Sequence, residues 1–250
     1  MPTISQYATV ETTDLANDVV IGAFTYIGPH VTIGPGCVIE DNVIIDGRTT
    51  LGKDNHVFPM AVIGRPLVEG ADNVCVIGQA NRIREHVKIA AGTGGATRIE
   101  HDCLIMVGTI IGESAVIGSH VVLANCTTIG ARAILEDYVR GSAFPVVDDD
   151  VRVGAYSFMK GYAHITSNAP PFAMLEGDPY RVRGVNAHNL QQCGFGQDDI
   201  RDLKHAYREI FNGSRRSPDQ SVLARLLADE QTSQLVRRAA EEITKEVARE

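Results

Sequence analysis

No apolar run in the 250 residues reaches the length of about 18 that a membrane-spanning helix needs. A basic excess is also missing. The 23 Lys and Arg are outnumbered by 31 Asp and Glu, and a formal net charge of −8 gives no support for a nucleic-acid partner or a basic membrane patch. The N-terminal stretch Met1-Pro2-Thr3-Ile4-Ser5 has neither a basic nor an apolar segment, so no signal peptide is expected. The five cysteines Cys37, Cys75, Cys103, Cys126 and Cys193 contain no CxxC pair. An odd, unpaired set argues against a disulfide scaffold and fits a reducing cytoplasm. What remains is ordinary: 44% hydrophobic and 22% charged residues, in a length that allows one or two domains.

Against that background one feature dominates, a beat of six residues. An aliphatic residue recurs from Leu15 through Ile21, Ile27 and onward to Ile63. It returns at Ile77, Ile83 and Ile89, and runs again from Ile99 to Leu135. It misses once, at Gly141, and resumes at Val147, Val153, Met159 and Ile165. The residue after the beat is often Gly, which is expected to allow a tight corner. The residue two before it is usually small or β-branched, and alternate residues of a strand share a face, so both point inward. Cys37 and Cys103 occupy such inward positions and read as core filler. Three hexads make a triangular coil, and stacked coils bury together what one coil cannot bury alone.

Residues 1–170 therefore read as a hexapeptide-repeat β-helix. Two excursions interrupt it near residues 64–76 and 90–98. Arg65, Pro66, Glu69, Gly70, Asp72 and Asn73 are loop residues of the first, and the second reads Ala-Ala-Gly-Thr-Gly-Gly-Ala-Thr-Arg. Loops on a rigid scaffold often carry function. Ala169-Pro170-Pro171-Phe172 ends the beat, and residues 171–196 form a connector. Residues 197–250 switch to helical spacing. Ile200, Leu203, Tyr207, Ile210 and Phe211 mark one helix, stopped near Asn212-Gly213. Ser217-Pro218-Asp219-Gln220 reads as a capping box with Pro at the first helical position. A final stripe runs from Leu235 to Val247. The fold class expected is mainly β, with a C-terminal α-helical domain.

Several segments resemble the UDP-N-acetylglucosamine acyltransferases, which open lipid A synthesis. They are Ile27-Gly28-Pro29-His30-Val31, Gly52-Lys53-Asp54-Asn55, Asn81-Arg82-Ile83-Arg84-Glu85, Gly92-Thr93-Gly94-Gly95 and Leu123-Ala124-Asn125. Gly184-Val185-Asn186, with Leu190 and Gly194-Phe195, is the most specific. The resemblance covers nearly the whole chain. It implies a left-handed parallel β-helix, an exception to the usual right-handed crossover. It also implies a homotrimer with clefts between subunits. No bound cofactor is implied; an acyl-carrier-protein (acyl-ACP) or acyl-CoA thioester would be the co-substrate, acyl carrier protein a partner and a small molecule the acceptor.

Acyl transfer to a hydroxyl needs a general base and donors for the developing oxyanion. The resemblance implies a histidine base two residues after a beat, oriented by an adjacent acid. In register that place holds Glu113, in Ile111-Gly112-Glu113-Ser114. The places of three further histidines hold Ala90, Arg132 and Asp148. The tail Leu190-Gln191-Gln192-Cys193 stands where the family usually has basic residues. Two readings of Glu113 stand open: a carboxylate base in a cleft, or the partner of Arg132 in an ion pair across stacked coils. Asp148-Asp149-Asp150 reads as a solvated corner. Histidines with the spacing of a zinc site are not seen, so no metal is expected. His86, beside Arg84 and Glu85, is the best histidine for a cleft role. The catalytic candidates are thus Glu113, His86, Arg132 and Asp148, and the substrate-binding candidates Arg84, Gly92, Thr93, Gly95, Asn186 and Gln192. The function expected is acyl transfer to an acceptor other than the family's usual one. The alternative is a diverged homologue that binds a ligand or partner, or catalyses other chemistry.

Overall fold

The structure is a computed structural model that describes residues 1–65, 73–212 and 217–247. Among the described residues the strands form three sheets of 11, 9 and 7 strands, nearly all parallel. Most strands are two residues long, a β-branched or polar residue facing out and the beat residue facing in. The chain visits the three sheets in turn and winds a left-handed parallel β-helix.

The beat is the interior. In the first sheet Ile21, Ile39, Val57, Ile83, Ile105 and Leu123 stack in register. In the second sheet the column is Ile27, Ile45, Ile63, Ile89, Ile111 and Ile129. In the third it is Ile33, Leu51, Ile77, Ile99, Ile117 and Leu135. The beat isoleucines from Ile21 to Ile165 are 0–2% exposed. Burying each such side chain is worth about 1.5–3 kcal/mol, and this narrow prism is where the stability of the solenoid comes from. Cys37, Cys75 and Cys103 lie in the same core. Burial pushes the Cys75 and Cys103 thiols up to about 12, so neither is a ready nucleophile.

The corners are built differently from the expectation drawn from their glycines. The residue in the left-handed region is usually the third after the beat, and it is seldom glycine: Phe24, Asn42, His86, Arg132 and Tyr138 have φ of 57–59°. A non-glycine residue adopts this conformation only when its surroundings hold it there. Here its N–H donates to a carbonyl one coil below: Asn42 to Ala23 at 2.9 Å, Arg132 to Glu113 at 2.8 Å, Tyr138 to Ser119 at 2.9 Å. The glycine after the beat serves close approach instead. A Cβ on Gly112 would lie 2.7 Å from the Ala131 nitrogen of the next coil.

The coil outlasts the beat. Ala169 bridges to Val153 in the third sheet, and Ala173–Glu176 pairs in parallel with Phe158–Met159 in the first. Arg181–Val185 then turns back antiparallel on Ala173–Glu176. The residues read as a connector thus hold a hairpin and the short helix α1 (Ala187–Gln192). The helices α2 (Gln197–Ile210), α3 (Gln220–Ala228) and α4 (Gln234–Val247) follow. The α3 cap is Asp219, whose carboxylate accepts the Ser221 and Val222 N–H groups. Ser217 and Pro218 lie outside the helix, so the expected capping box is not the one formed. Of the loop residues expected from sequence, Pro66, Glu69, Gly70, Asp72 and Gly213 lie outside the described residues. Among the described residues no helix is long and apolar enough to cross a membrane.

Candidate active site

Both excursions leave from the same corner. The first follows Ile63 and the second Ile89, both in the second sheet, and each re-enters at the third sheet, at Val74–Ile77 and Thr97–Ile99. The same corner, on the coils above, carries Glu113-Ser114, Ala131-Arg132 and Asp149-Asp150. The solenoid therefore brings together two irregular segments and a column of charged turns.

The excursions bind each other and the corner. Val74 and Gly92 exchange backbone hydrogen bonds at 3.1 and 3.0 Å, and the Ala91 N–H donates to the Arg65 carbonyl at 3.3 Å. The Thr93 hydroxyl lies 2.8 Å from Asn73 Oδ1 and 3.2 Å from Glu113 Oε2. The Ser114 hydroxyl donates to the Gly95 carbonyl at 3.0 Å, and the Ser114 N–H donates to Thr97 Oγ1 at 2.8 Å. Gly92 is needed by the loop itself, since a Cβ there would lie 1.9 Å from the Gly95 carbonyl oxygen. Gly94, with φ of +77°, faces open space, and a Cβ on Gly95 would meet Ser114 Oγ at 3.9 Å.

Glu113 is half-buried, and among the described residues Thr93 is the hydrogen-bond partner of its carboxylate. The ion pair with Arg132 that sequence reasoning held open is not formed. Arg132 turns to the coil above and grips Asp150 with Nε and Nη2, both at 2.7 Å, with Asp149 at 3.8 Å. Asp150 is 18 residues on, one full coil, and shares its column; Glu113 is offset by one position. The Arg132 guanidinium holds the Asp150 carboxyl below the usual carboxylate range.

Asp148 ends up beside a histidine that sequence reasoning passed over. His164 Nε2 is 2.8 Å from Asp148 Oδ1, and its Nδ1 is 3.0 Å from Asp178 Oδ1. The hydrogen bond to Asp148 is the largest influence and raises the His164 pKa; burial opposes it and Asp178 reinforces it. The signal was available: His164 stands 18 residues after Val146 and pairs with it across adjacent strands.

His86 and Arg84 lie at a different corner, between the first and second sheets, and the chain does not bring them to Glu113. Arg84 is held by Glu85 at 2.8 and 3.0 Å and lies 4.5 Å over the Phe58 ring. Asn186 is 5% exposed. It caps α1 and donates from Nδ2 to the Tyr156 carbonyl at 2.9 Å, which fastens the helix to the solenoid. Gln192 is exposed and lies 3.0 Å from His188. Among the described residues no three His, Cys, Asp or Glu side chains are placed to hold a metal ion.

Comparison with known proteins agrees with this architecture. The helical segment, residues 169–248, matches a family model described as UDP-N-acetylglucosamine O-acyltransferase, domain 2. Residues 13–47 and 96–131 match the bacterial transferase hexapeptide repeat. An acyl-[acyl-carrier-protein]–UDP-N-acetylglucosamine O-acyltransferase of Anaeromyxobacter sp. is 37% identical over 175 residues, 67% of this chain and 68% of that protein. The protein of that name from Syntrophobacter fumaroxidans is 35% identical over 206 residues, 79% of this chain and 80% of that one. The solved structure of LpxA from Acinetobacter baumannii superposes with a TM-score of 0.87 at 27% identity, covering 95% and 96% of the two chains. The chain belongs to the family of the acyl-[acyl-carrier-protein]–UDP-N-acetylglucosamine O-acyltransferases.

Proposed function

We propose that this protein transfers an acyl group from an acyl-ACP or acyl-CoA thioester to a hydroxyl or amine, at the corner where the two excursions meet Glu113. The relatives named above act on acyl-ACP and UDP-N-acetylglucosamine, and the donor chemistry is carried over from them. The observation that carries the reading is the setting of Glu113: a carboxylate in the base position, held by one hydroxyl, while the Arg132 guanidinium pairs with Asp150 instead.

The step balances with Glu113 as the sole proton carrier. Its carboxylate takes the proton of the acceptor while the acceptor atom attacks the thioester carbonyl carbon. The new C–O or C–N bond forms, the C–S bond breaks, and the departing thiolate recovers the proton from Glu113. The acceptor differs from that of the relatives: the stretch Leu190–Cys193 offers no basic side chain, and Gln192 bonds to His188. A homotrimer completes the site. Ile110 and Val146, on the outer face of the second sheet beside this corner, are 44% and 38% exposed in the single chain, as a subunit cleft would leave them. Five free cysteines, three of them buried, accord with a reducing cytoplasm.

The test is turnover of a panel of acyl-ACP and acyl-CoA thioesters with several acceptors, UDP-N-acetylglucosamine among them as the reference. The wild type turns over at least one thioester, and Glu113→Gln lowers its kcat by roughly 100- to 10,000-fold. A wild type that transfers no acyl group, or a Glu113→Gln variant at full activity, sinks the reading.

A further inference from the structure

A carboxylate that shuttles a proton has two oxygens, and only one should face the acceptor. Which one does is fixed here by a residue outside the Glu113 coil. Thr93 Oγ1 stands 3.2 Å from Glu113 Oε2, and among the described residues Oε1 has no hydrogen-bond partner. The loop that carries Thr93 is itself anchored at three points. Gly92 pairs with Val74 through backbone bonds at 3.0 and 3.1 Å, Thr93 Oγ1 lies 2.8 Å from Asn73 Oδ1, and the Gly95 carbonyl accepts the Ser114 hydroxyl at 3.0 Å. Asn73 is 5% exposed, so its amide is a fixed point for the hydroxyl and not a mobile surface group.

We infer that Thr93 is a positioning residue for acyl transfer: its hydroxyl pins Glu113 Oε2 and leaves Oε1 as the oxygen that takes and returns the proton. The inference rests on the reading of Glu113 as the base. The chemistry of the hydroxyl suits the task. Thr93 has one proton and two acceptors within reach, Asn73 Oδ1 and Glu113 Oε2. A hydrogen bond to an ionised carboxylate is about twice as strong as one between neutral groups. The proton therefore turns to Glu113 while Glu113 is ionised, and to Asn73, the closer partner, once Oε1 has been protonated. The hydroxyl follows the charge on Glu113 without moving its oxygen. The charged groups around the carboxylate do not take over this role: Arg132 on the next coil is gripped by Asp150, with Asp149 beside it. Ser114, next in sequence to Glu113, commits its hydroxyl to Gly95 and is not available to orient it.

Thr93→Val removes the hydroxyl and keeps the branched shape. It lowers kcat by roughly 10- to 100-fold and leaves KM for the thioester within about twofold, since the residue acts through Glu113 and not on substrate. Thr93→Ser restores kcat. In a Glu113→Gln background Thr93→Val has no further effect. A Thr93→Val variant with wild-type kcat, a loss that falls on KM, or losses that multiply in the double variant would each overturn the inference. The underlying reading fails separately, if Glu113→Gln is fully active. If no thioester is turned over, thermal unfolding of the wild type, Thr93→Val, Glu113→Gln and the double variant decides: the two substitutions give less than additive shifts in Tm, and additive shifts overturn the contact.

Discussion

Arg132 donates its backbone N–H to the Glu113 carbonyl at 2.8 Å while its guanidinium turns away and closes on Asp150 at 2.7 Å. The two residues are joined through the backbone but form no ion pair, and the Glu113 charge acts on Arg132 more weakly than Asp150 does. Arg132 and Asp150 are both exposed, and an ion pair in that setting adds little to stability. Arg132→Gln is expected to leave Tm within about 1 °C of the wild type and to cost far less activity than Glu113→Gln. Thermal melts and turnover of the two variants side by side check this; an Arg132→Gln loss as large as that of Glu113→Gln would restore Arg132 to the catalytic set.

Gly112 sits immediately before Glu113, and its added Cβ would meet the backbone of the next coil at 2.7 and 2.8 Å. Gly112→Ala is expected to push the Glu113 coil and the coil above it apart. The overpacking costs about 1–3 kcal/mol by urea denaturation, and kcat falls with it. A variant as stable as the wild type would show that the coils have slack the packing does not suggest.

Gly141 is the one interior position where the beat fails, and its neighbours leave some room. An added Cβ would meet Met159 Cε at 3.2 Å, Pro145 Cγ at 3.5 Å and Leu123 Cδ2 at 3.6 Å, and the closest of these is the end of a flexible side chain. Gly141→Ala is expected to stabilise by about 0.5 kcal/mol, because the unfolded chain loses freedom and the methyl finds a place. Gly141→Leu overfills the coil and destabilises. Urea midpoints of the pair read the sign directly.

His164 gains its hydrogen bond to Asp148 on folding, and that raises its pKa above the unfolded value of about 6.5. A histidine with a raised folded pKa contributes stability that is fully present below the unfolded pKa. The contribution fades as pH rises through the folded value. Wild type should therefore exceed His164→Gln in Tm at pH 5.5, and the gap should narrow once pH climbs past about 6.5. Melting curves of both proteins across pH 5 to 9 test this, and a gap that widens with pH contradicts it.

The fold was legible because the period itself is a contact map. Residues 18 apart in an unbroken stretch pair across adjacent strands, as Ile111 does with Ile129. The same offset pairs His164 with Val146, and Asp148, two residues after Val146, lies within reach of the imidazole. The excursions break that arithmetic. The interval from Ile63 to Ile77 is 14 residues and from Ile89 to Ile99 is 10, so Asn73, Thr93 and Glu113 share no simple offset. Their meeting depends on loop hydrogen bonds that no period encodes. The Glu113–Arg132 ion pair failed as an expectation for a related reason: 19 residues place two side chains near each other, but the 18-residue offset to Asp150 places the acid straight above. The glycines misled in a different way. Their spacing pointed to the corners, while the left-handed conformation falls on residues such as Phe24 and Tyr138, which the coil below holds in place.

Most non-glycine corner residues in the left-handed region hang by their N–H from a carbonyl of the floor beneath, which makes the solenoid a staircase of fixed tread. Neighbouring floors are about 4.8 Å apart. Glu113, Arg132 and Asp150 thus occupy three successive floors, and no single-residue insertion can alter their vertical separation without unseating every coil above it. Growth in height comes in steps of a whole turn. Among the described residues the solenoid steps out sideways twice, both times at the corner between the second and third sheets, which marks that corner as the one the fold has used for remodelling.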